Sequence, residues 1–164
     1  MTEGYFLVPV ASSLRMAEAE SILDAALRAA RLAELLPLAV AVLDSGAQLV
    51  AFRREDGCGV VRFEIARGKA QGALGMGIGS REIRNRLKER PAFQSAIAAA
   101  SDGRFIPVPG GVLILNDRGE AIGAVGVSGD ASDRDEYAAI AGIHAAGFAS
   151  HPAEPAPGWQ EAGL

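Results

Sequence analysis

Two segments of the chain each hold a pair of apolar runs separated by a short turn, and this pattern constrains the fold more than any other feature. The segments are 38–52 and 111–128, with turns at Asp44–Ala47 and Asn116–Gly119. Because so short a turn can join only antiparallel strands, each segment predicts a β-hairpin. The sheet of this protein is therefore expected to be antiparallel.

Helical patterns flank and separate the hairpins. Between Ser13 and about Leu36, small and apolar residues recur at the spacing of one helix face, and Pro37 ends the pattern. Further helices are predicted over about 61–76, after Ser80, from Pro91, and from Ser132 as N-cap to about Ala149. This order predicts an α+β fold, a sheet of about five strands flanked by helices.

The whole arrangement fits one domain over residues 1–150, because 164 residues lie within the usual single-domain range. A further strand is expected at Tyr5–Val8 or near Phe105 and Ile106. From His151 the composition turns to Pro, Ala, Gly and Glu, which predicts a flexible C-terminal tail over 151–164.

Charge and hydropathy argue against two classes of partner. The chain has 16 basic and 20 acidic residues, with no cluster of Lys and Arg interleaved with aromatics, so nucleic acid is not an expected partner. No apolar run reaches about 18 residues, so no membrane span is expected. The lone Cys58 and the absence of a leader pattern predict a cytoplasmic protein.

Histidine is scarce, which limits the possible mechanisms. His144 and His151 lack metal-ligand spacing to each other or to Cys58, and no HExxH, CxxC or GxSxG motif occurs. No metal site is predicted, and an incidental thiol is favoured over a nucleophile at Cys58.

Two loops could bind a ligand. Pro109, Gly110 and Gly111 precede a strand and expose backbone N–H groups that could hold a carboxylate, although a rigid turn would have the same residues. Gly129 and Asp130 lead into the last helix, where an anion, a divalent cation or plain capping acids would all fit.

A third candidate is the helix over 61–76, which carries Arg67 and Lys69. Its four glycines at positions 68, 72, 75 and 77 suggest a face approached by a planar ligand or by another helix at a subunit interface. Arg67 and Lys69 point to different sides. Lys69 is the stronger candidate for a partly buried cation, with a solvated lysine as the alternative.

Several blocks of sequence, in order along residues 14–148, resemble one known family. They are Ala41–Gly46, Leu49–Arg53 with Asp56 and Gly57, Ala66–Ala70, Pro109–Gly111, Ile122–Gly129, and Asp135 with Glu136. The chain is similar here to the haem-binding and glycolate-utilisation (GlcG-like, HbpS-like) family, which includes the C-terminal domain of the propanediol-utilisation adenosyltransferases.

The resemblance implies a profilin-like layout and a homo-oligomer built from dimers, reaching tetramers or octamers. It also implies haem as a possible cofactor, since several members bind it. Haem-binding members have been associated with histidine, and here only His144 and His151 are available, with His144 a weak candidate axial ligand. Other conceivable axial ligands are Met16, Met76, Cys58 and Tyr137.

The leading hypothesis is an oligomeric protein that binds haem or a small carboxylate between the Pro109–Gly111 loop, the Lys69 helix and the Gly129–Asp130 loop. Lys69 would supply positive charge, and Asp130 or Glu136 would orient a hydroxyl or cation. The alternative is an enzyme acting on a small organic acid, with Lys69 as base or electrophile and Asp130 or Glu136 as its acid–base partner. A third hypothesis is a protein that only assembles with others.

Overall fold

Both predicted hairpins form, and they lie side by side in one sheet. The strands are β1 (Ala39–Asp44), β2 (Leu49–Arg54), β3 (Gly111–Leu115), β4 (Ala121–Ser128) and β5 (Ala149–His151). The sheet is antiparallel throughout, in the order β2-β1-β4-β3-β5. The structure is a computed structural model that describes residues 7–164.

Residues 7–164 contain five α-helices, which lie on both faces of this sheet or pack on one another. They are α1 (Met16–Leu32), α2 (Arg62–Met76), α3 (Ser80–Leu87), α4 (Pro91–Ala100) and α5 (Ser132–Ala145). Strand residues alternate between the faces, so valines such as Val40 and Val125 pack against α1 and α5 in the main core, while Leu43 and Ala124 pack against α2. The predicted α+β fold is confirmed.

The fifth strand is not where the sequence placed it. β5 pairs with β3, whereas Phe105 and Ile106 form no strand because Phe105 is buried with α3 and the Ile106 N–H donates to the Gly68 carbonyl of α2. Leu7 and Val8 are not in a strand either, and Tyr5 and Phe6 lie outside the described residues.

The start of α5 also differs from the prediction by one residue. Ala131, not Ser132, is the N-cap, because the Asp135 N–H donates to the Ala131 carbonyl and Ser132 is already helical. The helix ends at Ala145, before Gly147 with a φ of 89°.

Residues 151–164, which composition predicts as a flexible tail, make specific contacts in the structure. The Trp159 ring stacks on Tyr137 of α5 with 3.7 Å between centroids. The Arg81 guanidinium donates to the Glu154 carbonyl, and Arg134 donates to the Gln160 carbonyl. These contacts attach the segment to α3 and α5, and its flexibility stays a prediction.

The helix α2 lies unusually close to the sheet because the strands beneath it carry glycines. A Cβ at Gly126 would lie 1.8 Å from the Ala66 carbonyl oxygen, and one at Gly111 would lie 2.2 Å from that of Lys69. Within α2, Gly68 and Gly72 contact Ile106 and Phe105 of the same chain. Packing within one chain therefore accounts for part of the glycine pattern.

Candidate functional site

Lys69 is buried at the end of the sheet and joins its two faces. Its Nζ donates hydrogen bonds to the Val127 carbonyl and to Asp135 Oδ2, both at 2.9 Å. The Lys69 and Asp135 side chains are only 2% and 1% exposed. The lysine on α2 thus reaches past the end of β4 to a carboxylate on α5, and the solvated alternative is wrong.

Asp135, which sequence analysis missed as the partner of Lys69, is itself held by the loop before α5. Its Oδ1 accepts a hydrogen bond from the Asp130 N–H at 2.9 Å. Asp130 in turn accepts from the Leu36 and Ala131 N–H groups, both at 2.7 Å. Asp130 therefore orders the loop and makes no hydrogen bond to Lys69. The sequence signal was weak because an acid in a first helical turn resembles an ordinary cap.

The loop before β3 closes over the Lys69 ammonium. Gly110 has a φ of 119°, and a Cβ there would lie 2.9 Å from Lys69 Nζ. The Gly111 N–H donates to Ser80 Oγ at 2.8 Å, so the donor expected to hold a ligand is already used within the protein. Pro109 is buried beside them, and Gly129 packs against the Pro37 carbonyl.

Burial and charge act in opposite directions on the Lys69–Asp135 pair. Desolvation lowers the pKa of Lys69 and raises that of Asp135 to about 6, while each partner's charge favours the ionised form of the other. An ion pair this deeply buried ties α2 to α5, and its charges are satisfied inside the protein.

Arg67 and Arg62, on the same helix, are placed differently from Lys69. Arg67 makes no ion pair among the described residues, and its buried Nε lacks a hydrogen-bond partner there. Arg62 donates to Ser128 Oγ at 3.2 Å. The separation of Arg67 from Lys69 agrees with their spacing on the helix.

Glu136 faces Arg81 of α3 and makes no hydrogen bond or ion pair with Lys69. It is fully buried, with Arg81 Nε 3.4 Å from Oε1 but without a hydrogen bond of good geometry to it. Burial raises the pKa of Glu136 to about 7, aided by Asp133 and opposed by Arg81, Arg84 and the Ala156 N–H. Glu136 therefore makes no hydrogen bond or ion pair with the predicted site residues Lys69 and Asp130.

Replacing Glu136 by Gln is expected to remove a pH dependence of stability. A folded pKa of about 7, above the ordinary 4.5, means that the folded state binds this proton more tightly, so stability falls as pH rises between these values. At about 1.4 kcal/mol per pKa unit, the wild type should lose about 1–3 kcal/mol relative to Glu136→Gln between pH 5 and pH 8. Urea unfolding at both pH values measures this. Glu154→Gln, at an exposed position, is the control, and parallel pH profiles for wild type and Glu136→Gln would contradict the expectation.

A groove lies between the C-terminal half of α2, α4 and the β1–β2 turn, and we call it the α2–α4 groove. Its volume is about 460 Å³, within the range of small-molecule sites. The lining is mainly apolar, with polar groups from Gln71, Arg104 and the serines at 45 and 101. Its lining includes Gly72, Leu74, Gly75, Met76, Ile97, Ala100 and Phe105. A Cβ at Gly75 would meet nothing within 4 Å, so this glycine leaves the groove open.

The two histidines lie outside this groove, and each is engaged elsewhere. His144 Nε2 is 2.9 Å from Ser150 Oγ, which itself donates to the Pro152 carbonyl. His151 Nδ1 accepts from the Gly79 N–H at 3.0 Å. Among the described residues, no group of three or more His, Cys, Asp or Glu side chains is arranged to hold a metal ion. None of the helices within residues 7–164 combines the length and the apolar composition that a membrane span requires.

These features define a small α+β protein with helices on both faces of an antiparallel sheet and a ligand-sized groove beside α2. Residues 14–144 match the family described as haem degrading protein HbpS-like. The chain belongs to this HbpS-like family, which confirms the resemblance seen in the sequence. No functionally curated protein matches the chain by sequence.

Three solved structures illustrate the similarity. A PduOC–haem complex has a TM-score of 0.75 at 23% identity, covering 84% of this chain and 98% of that one. HbpS has a TM-score of 0.69 at 26% identity, covering 88% and 96%. The Klebsiella pneumoniae protein ORFY has a TM-score of 0.74 at 22% identity, covering 87% and 96%. The fold therefore extends over nearly the whole of each of these relatives.

Proposed function

We propose that this protein binds haem, or a similar flat ligand that carries carboxylates, in the α2–α4 groove. The observation that carries the proposal is the apolar groove itself, which Gly75 of α2 leaves open. One similar structure is a PduOC–haem complex, and the family is described as haem degrading, so both support haem as the first ligand to test.

The residues of the groove fit haem in three ways. Gly75 allows a flat ring to approach the α2 backbone, and Ile97 and Phe105 offer apolar contacts. Arg104 is exposed at the groove. The Asp102 carboxylate lies 4.0 Å from its guanidinium, too far for a hydrogen bond, so Arg104 can pair with a propionate. When bound, haem supplies an iron centre whose reactivity depends on its ligands and on solvent access.

The Lys69 end of the molecule supports ligand binding less well. The Lys69 ammonium is buried beneath Gly110 and neutralised by Asp135, so a carboxylate would have to displace an internal partner. For the enzyme hypothesis, neither Asp130 nor Glu136 makes a hydrogen bond to Lys69. We therefore propose binding in preference to catalysis, and we retain the small carboxylate as an alternative ligand.

Gly75→Ala is the variant that tests the groove. A Cβ at this position contacts nothing in the protein, so the fold should be unharmed while a ligand lying on α2 is obstructed. We expect roughly tenfold weaker haem binding, equivalent to about 1.4 kcal/mol. The measurement is a haemin titration of tag-free protein followed in the Soret region, with a parallel titration of small organic acids by thermal shift.

Arg104→Ala should weaken haem binding several-fold, and more at low salt than at high salt. Arg118→Ala is its control, since it removes the same charge from the exposed β3–β4 turn.

We also propose that the protein is a homo-oligomer, which sizing of the haem-loaded samples tests. The apolar helix α4 supports this proposal, because none of its residues is fully buried and Phe93 is 41% exposed. Equal haem binding by wild type and Gly75→Ala would overturn the groove proposal.

A further inference from the structure

Met76 occupies a distinctive place in the α2–α4 groove. The side chains that commonly ligate haem iron are those of His, Cys, Met and Tyr. Among the described residues that line the groove, Met76 is the single member of these four types. We infer that the Met76 thioether is this protein's ligand to iron when haem occupies the groove, an inference that rests on the proposed function.

The other candidates lie away from the groove. His144 and His151 are hydrogen-bonded to Ser150 and Gly79, and neither lines the groove. Tyr137 is stacked on Trp159 at the α5 face. Cys58 lies in the loop after β2, where burial raises the pKa of its thiol and disfavours the thiolate that iron requires.

The setting of Met76 suits a side chain that must reorient to meet a ligand. It is the last residue of α2, followed by Gly77 with a φ of 69°, and it is 39% exposed. A flexible thioether at a helix end can turn toward a ligand without opening the hydrophobic core. A Cβ at the neighbouring Gly75 would meet no atom within 4 Å, so the space beside Met76 is open.

Ligation of iron by the Met76 thioether would change the reduction potential of bound haem, whereas a packing contact with the ring would not. As an iron ligand, the Met76 thioether would raise the reduction potential of bound haem, because soft sulfur favours ferrous over ferric iron. The protein should therefore bind ferrous haem more tightly than ferric haem. A side chain that only packs against the ring would not distinguish the two oxidation states.

The test compares wild type, Met76→Leu and the control Met16→Leu, each titrated with haem and with metal-free protoporphyrin IX. Leucine keeps the apolar volume but has no lone pair for iron, and Met16 is 70% exposed at the start of α1, outside the groove. We expect Met76→Leu to bind protoporphyrin IX like the wild type. It should bind ferrous haem about tenfold more weakly, with a shifted Soret band and a lower reduction potential.

The other outcomes separate this inference from the proposed function. If Met76→Leu matches the wild type in haem affinity, Soret position and potential while Gly75→Ala weakens binding, the ligand assignment is wrong and the groove stands. If Met76→Leu weakens haem and protoporphyrin IX equally, Met76 only packs and the assignment is again wrong. If the wild type binds neither molecule saturably, both proposals fail.

Discussion

Replacing Lys69 by Met is expected to lower the free energy of unfolding by about 3–5 kcal/mol, the usual cost of leaving a buried charge without its partner. Methionine fills much of the lysine volume, so the loss comes chiefly from the stranded Asp135 carboxylate and the unpaired Val127 carbonyl. Because the pair joins α2 to α5 across the end of the sheet, its loss should weaken the whole fold. Urea unfolding at neutral pH measures the change.

Two further variants separate the charge from the packing at this position. Arg67→Met makes the same kind of change on the same helix. Arg67, unlike Lys69, has no ion-pair partner among the described residues, so its replacement should cost less than about 1 kcal/mol. Adding Asp135→Asn to Lys69→Met removes the stranded charge while keeping an acceptor for the Asp130 N–H, and it should restore part of the stability. Equal unfolding free energies for Lys69→Met and Arg67→Met would show that the ion pair contributes little.

Gly126→Ala is expected to destabilise the protein by at least about 3 kcal/mol, at or above the upper end of ordinary overpacking. Its Cβ would lie 1.8 Å from the Ala66 carbonyl oxygen and 3.0 Å from the Ala70 Cβ. Backbone atoms cannot turn aside as a flexible side chain can, so α2 would have to lift from the sheet. Thermal and urea unfolding both report the loss.

Gly75→Ala is the matched control for this prediction, because it adds the same methyl group to α2 at a position that does not face the sheet strand at Gly126. Nothing lies within 4 Å of its Cβ, and alanine has the higher helix propensity, so stability should rise by about 0.5–1 kcal/mol. The prediction about Gly126 fails if the two glycine variants unfold at similar urea concentrations.

Local sequence pattern determined much of this structure. The hairpins at 38–52 and 111–128 were predictable because a short polar turn between apolar runs leaves neighbouring strands one way to pair. The helices were predictable from apolar spacing and from signals such as Pro91 at the first position of α4. The blocks that resemble the HbpS-like family were also visible, and the family match confirms them.

Residues that meet from distant parts of the chain could not be placed in the same way. Lys69 and Asp135 are 66 positions apart, and no local rule marks Asp135 rather than Asp130 or Glu136 as the partner. β5 is three residues long and follows a helix, so it forms only because β3 offers an unpaired edge.

Local patterns in the chain were enough to predict the hairpins and helices, their order and a glycine-rich helix that carries a candidate buried lysine. Tertiary structure alone decided what each of those residues does. Gly68 and Gly72 meet the 105–106 segment, Gly75 opens a groove, and Lys69 is closed off by Asp135. The physical reason is that helix and hairpin formation depend on neighbours in the chain, whereas burial, ion pairing and cavities depend on which surfaces meet after the chain has folded.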